Sequence, residues 1–247
     1  MKFKDTIPDA TAPLFHAMNL LSEGGSARFH MPGHKGEPIF QTFAEVFAID
    51  FTETYGTGNL YTGEGPIRAA EQAAARFYHA ADCFFLTCGS TQGVLSMLAA
   101  SVPPGGSLLV DRNCHKSVCT ALALLDITPH FIAPPVIEPF GIPSALVVPD
   151  VEAALDAHPE AAALLVTSPN YYGVCQPLED FSEMCRARGK LLLVDSAHAA
   201  HFPAVRMHSA VQRGADCAVI SAHKTLPCLG QGAYLILGER MEGDALR

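Results

Sequence analysis

Seven short apolar runs recur along the chain: CFFLTC from Cys83, SLLV ending at Val110, HFIA from His130, ALLVTS from Ala163, KLLLVDS from Lys190, CAVISA from Cys217 and AYLILG from Ala233. Several are continuous rather than alternating in polarity, the pattern of a strand covered on both faces. Most are separated by 15 to 30 residues. Helix formers dominate IRAAEQAAARFY from Ile67 to Tyr78, and VEAALDAH from Val151 has the same character. Strands alternating with helices predict an α/β fold, a mostly parallel seven-stranded sheet between helix layers. Pro8, Pro13, Pro32, Pro38, Gly24-Gly25 and Gly33 punctuate the start, so residues 1–50 read as an irregular arm or entry segment and 51–247 as one large domain. Five prolines between Pro134 and Pro149 predict a surface excursion ahead of the second helix.

Composition narrows the class. In 247 residues, 49% hydrophobic and 17% charged, there is ample material for a buried core. A formal charge of −9 argues against a nucleic-acid partner, whose phosphates demand clustered Lys and Arg. No apolar run approaches a membrane span, and Met1 to Asp9 lacks the apolar core of a signal peptide, so a cytoplasmic address without membrane contact is expected. The eight cysteines contain no CxxC pair and read as reduced core residues.

Candidate chemistry follows from the sheet, because ligands of open parallel sheets gather at the C-terminal ends of strands. CGSTQG from Cys88 places small residues, Ser90 and Thr91 at a helix start, where backbone N–H groups can cradle an anion. The same residues serve in an ordinary N-cap turn. DRNCHKS from Asp111 brings His115 to that edge, DSAH puts Asp195 and His198 after a buried strand, and SAHKT puts Ser221, His223 and Lys224 after another. A phosphate cradle, an imidazole, a buried carboxylate and an amine together suit a cofactor with a phosphate, a flat ring, a basic ring nitrogen and an aldehyde. Pyridoxal 5′-phosphate carries all four.

FHMPGHK from Phe29, EGPIRAAEQAAARFY from Glu64, CGSTQG, DRNCHKS, TSPNYYGV from Thr167, LLLVDSAHAAHF from Leu191 and SAHKTLPCLGQGA from Ser221 resemble, in order, the Orn/Lys/Arg decarboxylase family of fold type I pyridoxal-phosphate enzymes. The resemblance covers residues 28 to 237 and implies an aspartate aminotransferase-like large domain. It implies that Lys224 holds the cofactor covalently, that Asp195 faces the pyridinium nitrogen and that His115 stacks on the ring; these three are the expected catalytic residues. Ser90, Thr91, Ser221 and His223 match the phosphate-binding set, and His198 lies close by. The implied reaction is α-decarboxylation of arginine, lysine or ornithine to a polyamine or its precursor, in a homodimer or higher homo-oligomer whose interface the arm crosses. Asn170 stands where the family pattern has Thr, a change expected to alter a contact near the cofactor. The family continues into a C-terminal small domain beyond AYLILG, so this chain is expected to lack it.

Other readings are poorer. Asp195, His198 and His201, or His30 and His34, offer metal ligands, but Pro32 and Gly33 break the second pair's helical spacing and no HExxH is present. GxSxG, GxxxxGK[ST] and a strand-to-helix GxGxxG are lacking, against a serine hydrolase or a nucleotide site. An α-oxoamine synthase or aldolase shares the D-x-A-H segment, and a noncatalytic fragment is the reading from a different class.

Overall fold

The computed structural model describes residues 11–241 and 243. Pro8, the Met1 to Asp9 stretch and the C-terminal Arg247 lie outside the described residues. The chain divides into two compact units, the first running to Ala74 and the second from Ala75.

The first unit contains α1 (Pro13–Glu23), a 3-10 turn at Gln41–Phe43, α2 (Ala44–Ala48) and the opening turns of α3 (Gly65–Tyr78). The predicted irregularity is thus only partial. Pro13 sits in the first turn of α1, where its missing N–H costs nothing, and Gly24 is the C-cap, so the two bound a helix of 11 residues instead of excluding one. Gly58 has φ +91°, and a Cβ there would stand 2.5 Å from the Glu64 carbonyl oxygen, so the loop before α3 requires glycine.

The second unit is built on seven strands: β1 (Asp82–Leu86), β2 (Ser107–Asp111), β3 (Thr128–Ile132), β6 (Ala161–Thr167), β7 (Leu191–Asp195), β8 (Cys217–Ser221) and β9 (Ala233–Leu237). All seven predicted runs form them, in the order β1-β9-β8-β7-β6-β2-β3. β9 runs antiparallel to both neighbours and the other pairings are parallel. The proline-rich excursion carries a small hairpin, β4 (Val136–Ile137) with β5 (Ile142–Pro143), and Pro149 falls in the first turn of α6 (Val148–Ala157).

Helices α4 (Gly89–Ser101) and α5 (Lys116–Leu124) pack on each other, as do α6 and α7 (Leu178–Ala187). One core joins Val94, Met97 and Leu98 of α4 and Val118 and Leu122 of α5 to Leu108, Val110, Leu165, Leu193 and Val219 of the sheet. Leu164 and Leu192, one position out of phase on their strands, are equally buried. Because successive strand side chains point to opposite faces, both helix layers are fed from one continuous apolar run, and each fully buried leucine contributes about 1.5–3 kcal/mol.

The cysteine expectation holds in part. Cys83, Cys185 and Cys217 are buried, but Cys88, Cys119 and Cys228 are exposed; none of the eight is in a disulfide. The exposed three sit on the loops and on the outer side of α5, where a small, weakly polar side chain costs little.

Candidate active site

Strand register sets the site. Leu86 and Ser221 both pair with Ala233, and Thr167 pairs with Asp195, so the carboxyl ends of β1, β6, β7 and β8 finish at one edge. From β2 the chain passes through α5 to β3 on one side, while β6 lies on the other. Such a reversal opens a crevice between diverging connections. A cavity of ≈ 570 Å³ occupies it, lined by Ser90, Asn113, Cys114, His115, Thr167, Tyr171, Asp195, Ala197, His198, Lys224 and Thr225.

Asp195 lies on its floor, 4% exposed, its Oδ1 accepting from the Ala197 N–H at 3.2 Å. Burial raises its carboxyl above the ordinary value; the Ala197 N–H and the charges of Lys224, His115 and His198 act the other way. Lys224, on the single turn α8 (Ala222–Thr225), is exposed at the mouth with Nζ 3.4 Å from His198 Nε2. The edge of the Tyr171 ring meets His198, centroids 6.0 Å apart at 80°.

His115 is the N-cap of α5. Its Nδ1 accepts from the Ser117 N–H at 3.2 Å, with Ser117 Oγ at 2.8 Å. These two contacts to Ser117 anchor the ring at the helix start. The cap thereby fixes the ring's position. Ser90 lies in the first turn of α4, whose N-cap Cys88 gives no side-chain cap; Gly89, with φ +73°, turns the chain into that helix.

Of the residues singled out from sequence, Ser90, His115, Asp195, His198 and Lys224 converge on the cavity, and Thr91, Ser221 and His223 are not among its lining residues. Thr91 is exposed, one position around the helix from Ser90. Ser221 is fully buried with Oγ 3.5 Å from the His223 ring nitrogens, and His223 Nδ1 donates to the Gly232 carbonyl at 3.0 Å. Within DRNCHKS, Asp111 turns inward: its Oδ1 accepts from the Asn113 N–H at 2.9 Å and its Oδ2 from Gln176 Nε2 at 3.3 Å. It joins β2 to the loop after β6 and is absent from the cavity wall.

Asn170 is likewise spent on the backbone. Its Oδ1 accepts from the Tyr172 and Val174 N–H groups at 2.9 and 3.0 Å, and its Nδ2 donates to the Pro143 carbonyl at 3.0 Å. Asparagine closes an Asx-type turn there, and the residue does not line the cavity. The metal readings do not assemble: His34 accepts from the Gly36 N–H and pairs with Asp50 at 3.1 Å, and the ligand atoms of Asp195, His198 and His201 do not converge among the described residues.

The residue that sequence reasoning passed over is Thr167. It is 7% exposed, its Oγ1 is buried with no protein partner, and it lines the cavity beside Asp195. His198 Nδ1 is buried and unpartnered too. The signal was its place as the last residue of a strand on the ligand edge. Two orphaned polar atoms, an amine, a capped imidazole, a buried carboxylate and an uncapped helix start around one cavity fit a polar, ring-bearing, phosphorylated group better than an apolar ligand.

Fold and cavity together define an α/β large domain of the kind shared by amino-acid decarboxylases and aminotransferases. Francisella novicida lysine decarboxylase LdcF superposes with a TM-score of 0.82 at 20% identity, over 96% of this chain and 37% of that one. Alanine–glyoxylate aminotransferase from Nostoc sp. gives 0.59 at 19%, over 72% and 46%. The profile of the Orn/Lys/Arg decarboxylase major domain matches residues 12–246, and the chain belongs to that family. It is 38% identical to the uncharacterized protein YaaO of Bacillus subtilis, over 91% of this chain and 48% of that protein. It is 35% identical to an arginine decarboxylase of Halalkalibacterium halodurans, over 92% and 48%. The chain spans about half the length of these curated relatives.

Proposed function

We propose that this chain is the cofactor-binding large domain of a pyridoxal-phosphate-dependent decarboxylase acting at the α-carbon of a basic amino acid. The observation that supports it is the convergence of the Lys224 amine, the His115 ring and the buried Asp195 carboxylate on one cavity at the ligand edge of the sheet. Lys224 would hold the aldehyde carbon covalently, and Asp195 would face the ring nitrogen. His115 would lie against the ring, with Ser90 and the start of α4 at the phosphate; Thr91, Ser221 and His223, off the cavity wall here, complete the expected phosphate set. When bound, pyridoxal phosphate supplies an electron sink for the electrons released as carbon dioxide leaves.

The protein's own part is electrostatic and protonic. A buried carboxylate favours a positive charge placed against it, so Asp195 keeps a facing ring nitrogen protonated. His115, held by its contacts with Ser117, would restrict the ring plane. The 3.4 Å between Lys224 Nζ and His198 Nε2 is within reach for passing a proton between amine and imidazole once the amine is free.

Arginine is the first substrate to test, because relatives named arginine decarboxylase match over 92% of the chain, whereas the Escherichia coli inducible lysine decarboxylase matches over 49%. Lysine and ornithine follow. We further infer a homo-oligomer in the cytoplasm, residues 1–50 forming an arm at its interface and 51–247 the large domain. Among the described residues no helix is long and apolar enough to cross a membrane.

The test is borohydride reduction of the cofactor-loaded chain followed by peptide mapping. The pyridoxyl group is expected on Lys224 and absent from Lys224→Ala; recovery on Lys35, Lys116 or Lys190 refutes the assignment. Carbon dioxide release from arginine, lysine and ornithine, by this chain and by any longer product of its reading frame, then tests the reaction. Transamination or aldol cleavage in its place would reject decarboxylation.

A further inference from the structure

At the opposite edge of the sheet a second cluster plays no part in the proposed reaction. Ser107 of β2 is level with Thr128 of β3 and with Ala161 of β6, so the amino ends of these strands are flush. His130 lies two residues into β3, His158 caps the C-terminus of α6, and Glu160 immediately precedes β6. Glu160 Oε1 stands 3.2 Å from His130 Nε2 and 3.2 Å from His158 Nδ1, and one ligand atom from each residue lies within 4.8 Å of the others.

We propose that His130, His158 and Glu160 form a binding site for a divalent transition-metal ion of the zinc class, with a fourth position left to water. Two imidazoles and a carboxylate are a donor set that suits such an ion. Ligands on a tetrahedral ion with bonds of about 2.0–2.1 Å are separated by roughly 3.3 Å, close to the two spacings seen here. His130 Nε2 is buried and makes no well-aligned hydrogen bond, although the carboxylate oxygen is 3.2 Å away. Two atoms near but not aimed at each other are placed as co-ligands of a third body.

The turn that carries two of the ligands is built rigidly. Lys190, 5% exposed, donates to the carbonyls of His158, Pro159 and Ala161 at 3.2, 2.8 and 2.6 Å. Such a preset backbone lowers the ordering cost of binding. One rearrangement is required. The two imidazoles stack with centroids 3.7 Å apart and planes 20° from parallel, and lone pairs lie in the ring plane. The ion must therefore draw the rings out of their stack, a turn open to the His158 side chain, which is 34% exposed. Occupancy would clamp the edge strand β3 to the α6–β6 turn.

The cofactor-loaded chain titrated with zinc chloride against a competing chelator should bind one equivalent that is weakened about 10- to 100-fold or more in both Glu160→Gln and His158→Asn. Glu160 is half-exposed, so its amide variant keeps the fold, checked by circular dichroism. Cobalt(II) in place of zinc should give tetrahedral visible bands in the wild type that both variants lose. No binding, or unchanged affinity in either variant, would overturn the proposal.

Discussion

Asp195 shows how a site residue conflicts with stability. Its carboxyl is raised by burial, so the folded chain resists its ionisation. With a folded value above the unfolded one near 4, no penalty exists at lower pH; the penalty grows as pH rises through the folded value. Each tenfold change in the ionisation constant is worth about 1.4 kcal/mol. Asp195→Asn in the cofactor-free chain is therefore expected to melt higher than wild type at pH 7 and equally at pH 3, while losing turnover when loaded. Equal melting at both would remove burial as the dominant influence. Thr167 makes a parallel case. Its unpartnered hydroxyl carries a desolvation cost of about 1–3 kcal/mol, so Thr167→Val should leave the cofactor-free melting temperature unchanged or raised and weaken cofactor binding by titration. A clear loss of stability would mean that the hydroxyl is satisfied within the fold.

At the scale of the element, the ligand edge depends on how closely α4 approaches the sheet. A Cβ on Gly93 would stand 2.7 Å from Leu86 Cδ1 and 2.8 Å from Val219 Cγ1, both in the buried core. Those neighbours have no room to yield, so Gly93→Ala should destabilise the chain by about 1–3 kcal/mol in denaturant melts. It should also displace Ser90 one turn earlier and lower phosphate-ester affinity. A neutral effect would show that α4 can shift outward freely. Residues 1–50 hold α1 despite their prolines and glycines, because at the two ends of a helix each is favoured.

For the whole molecule, the first unit exposes Phe29 at 93%, Ile39 at 77% and Met31 at 71%. Apolar surface gathered over so short a stretch is the kind of face the proposed homo-oligomer would cover. Sedimentation velocity should therefore show a dimer or larger species, shifted toward monomer by Phe29→Ser with Ile39→Ser. A wild-type monomer at micromolar concentration would contradict the proposed homo-oligomer.

The continuous apolar runs determined the seven strands by themselves, because a strand covered on both faces can contain little else, and their spacing allowed helical crossovers, whereas the antiparallel placing of β9 was settled by pairing. Motif order likewise brought Ser90, His115, Asp195, His198 and Lys224 to the cavity, since each lies at or within a few residues of a strand's carboxyl end and all parallel strands end at one edge. Register and rotation were decided only in three dimensions. A single step along α4 separates Ser90 in the cavity wall from exposed Thr91, and the backbone turn at Asn170 consumes a side chain that its sequence position had placed near the cofactor. Thr167 emerged because its pairing with Asp195 across β6 and β7 sets two polar groups side by side. The cluster of His130, His158 and Glu160 joins residues whose proximity is created by the parallel pairing of β2 with both neighbours, a long-range contact that local pattern does not encode.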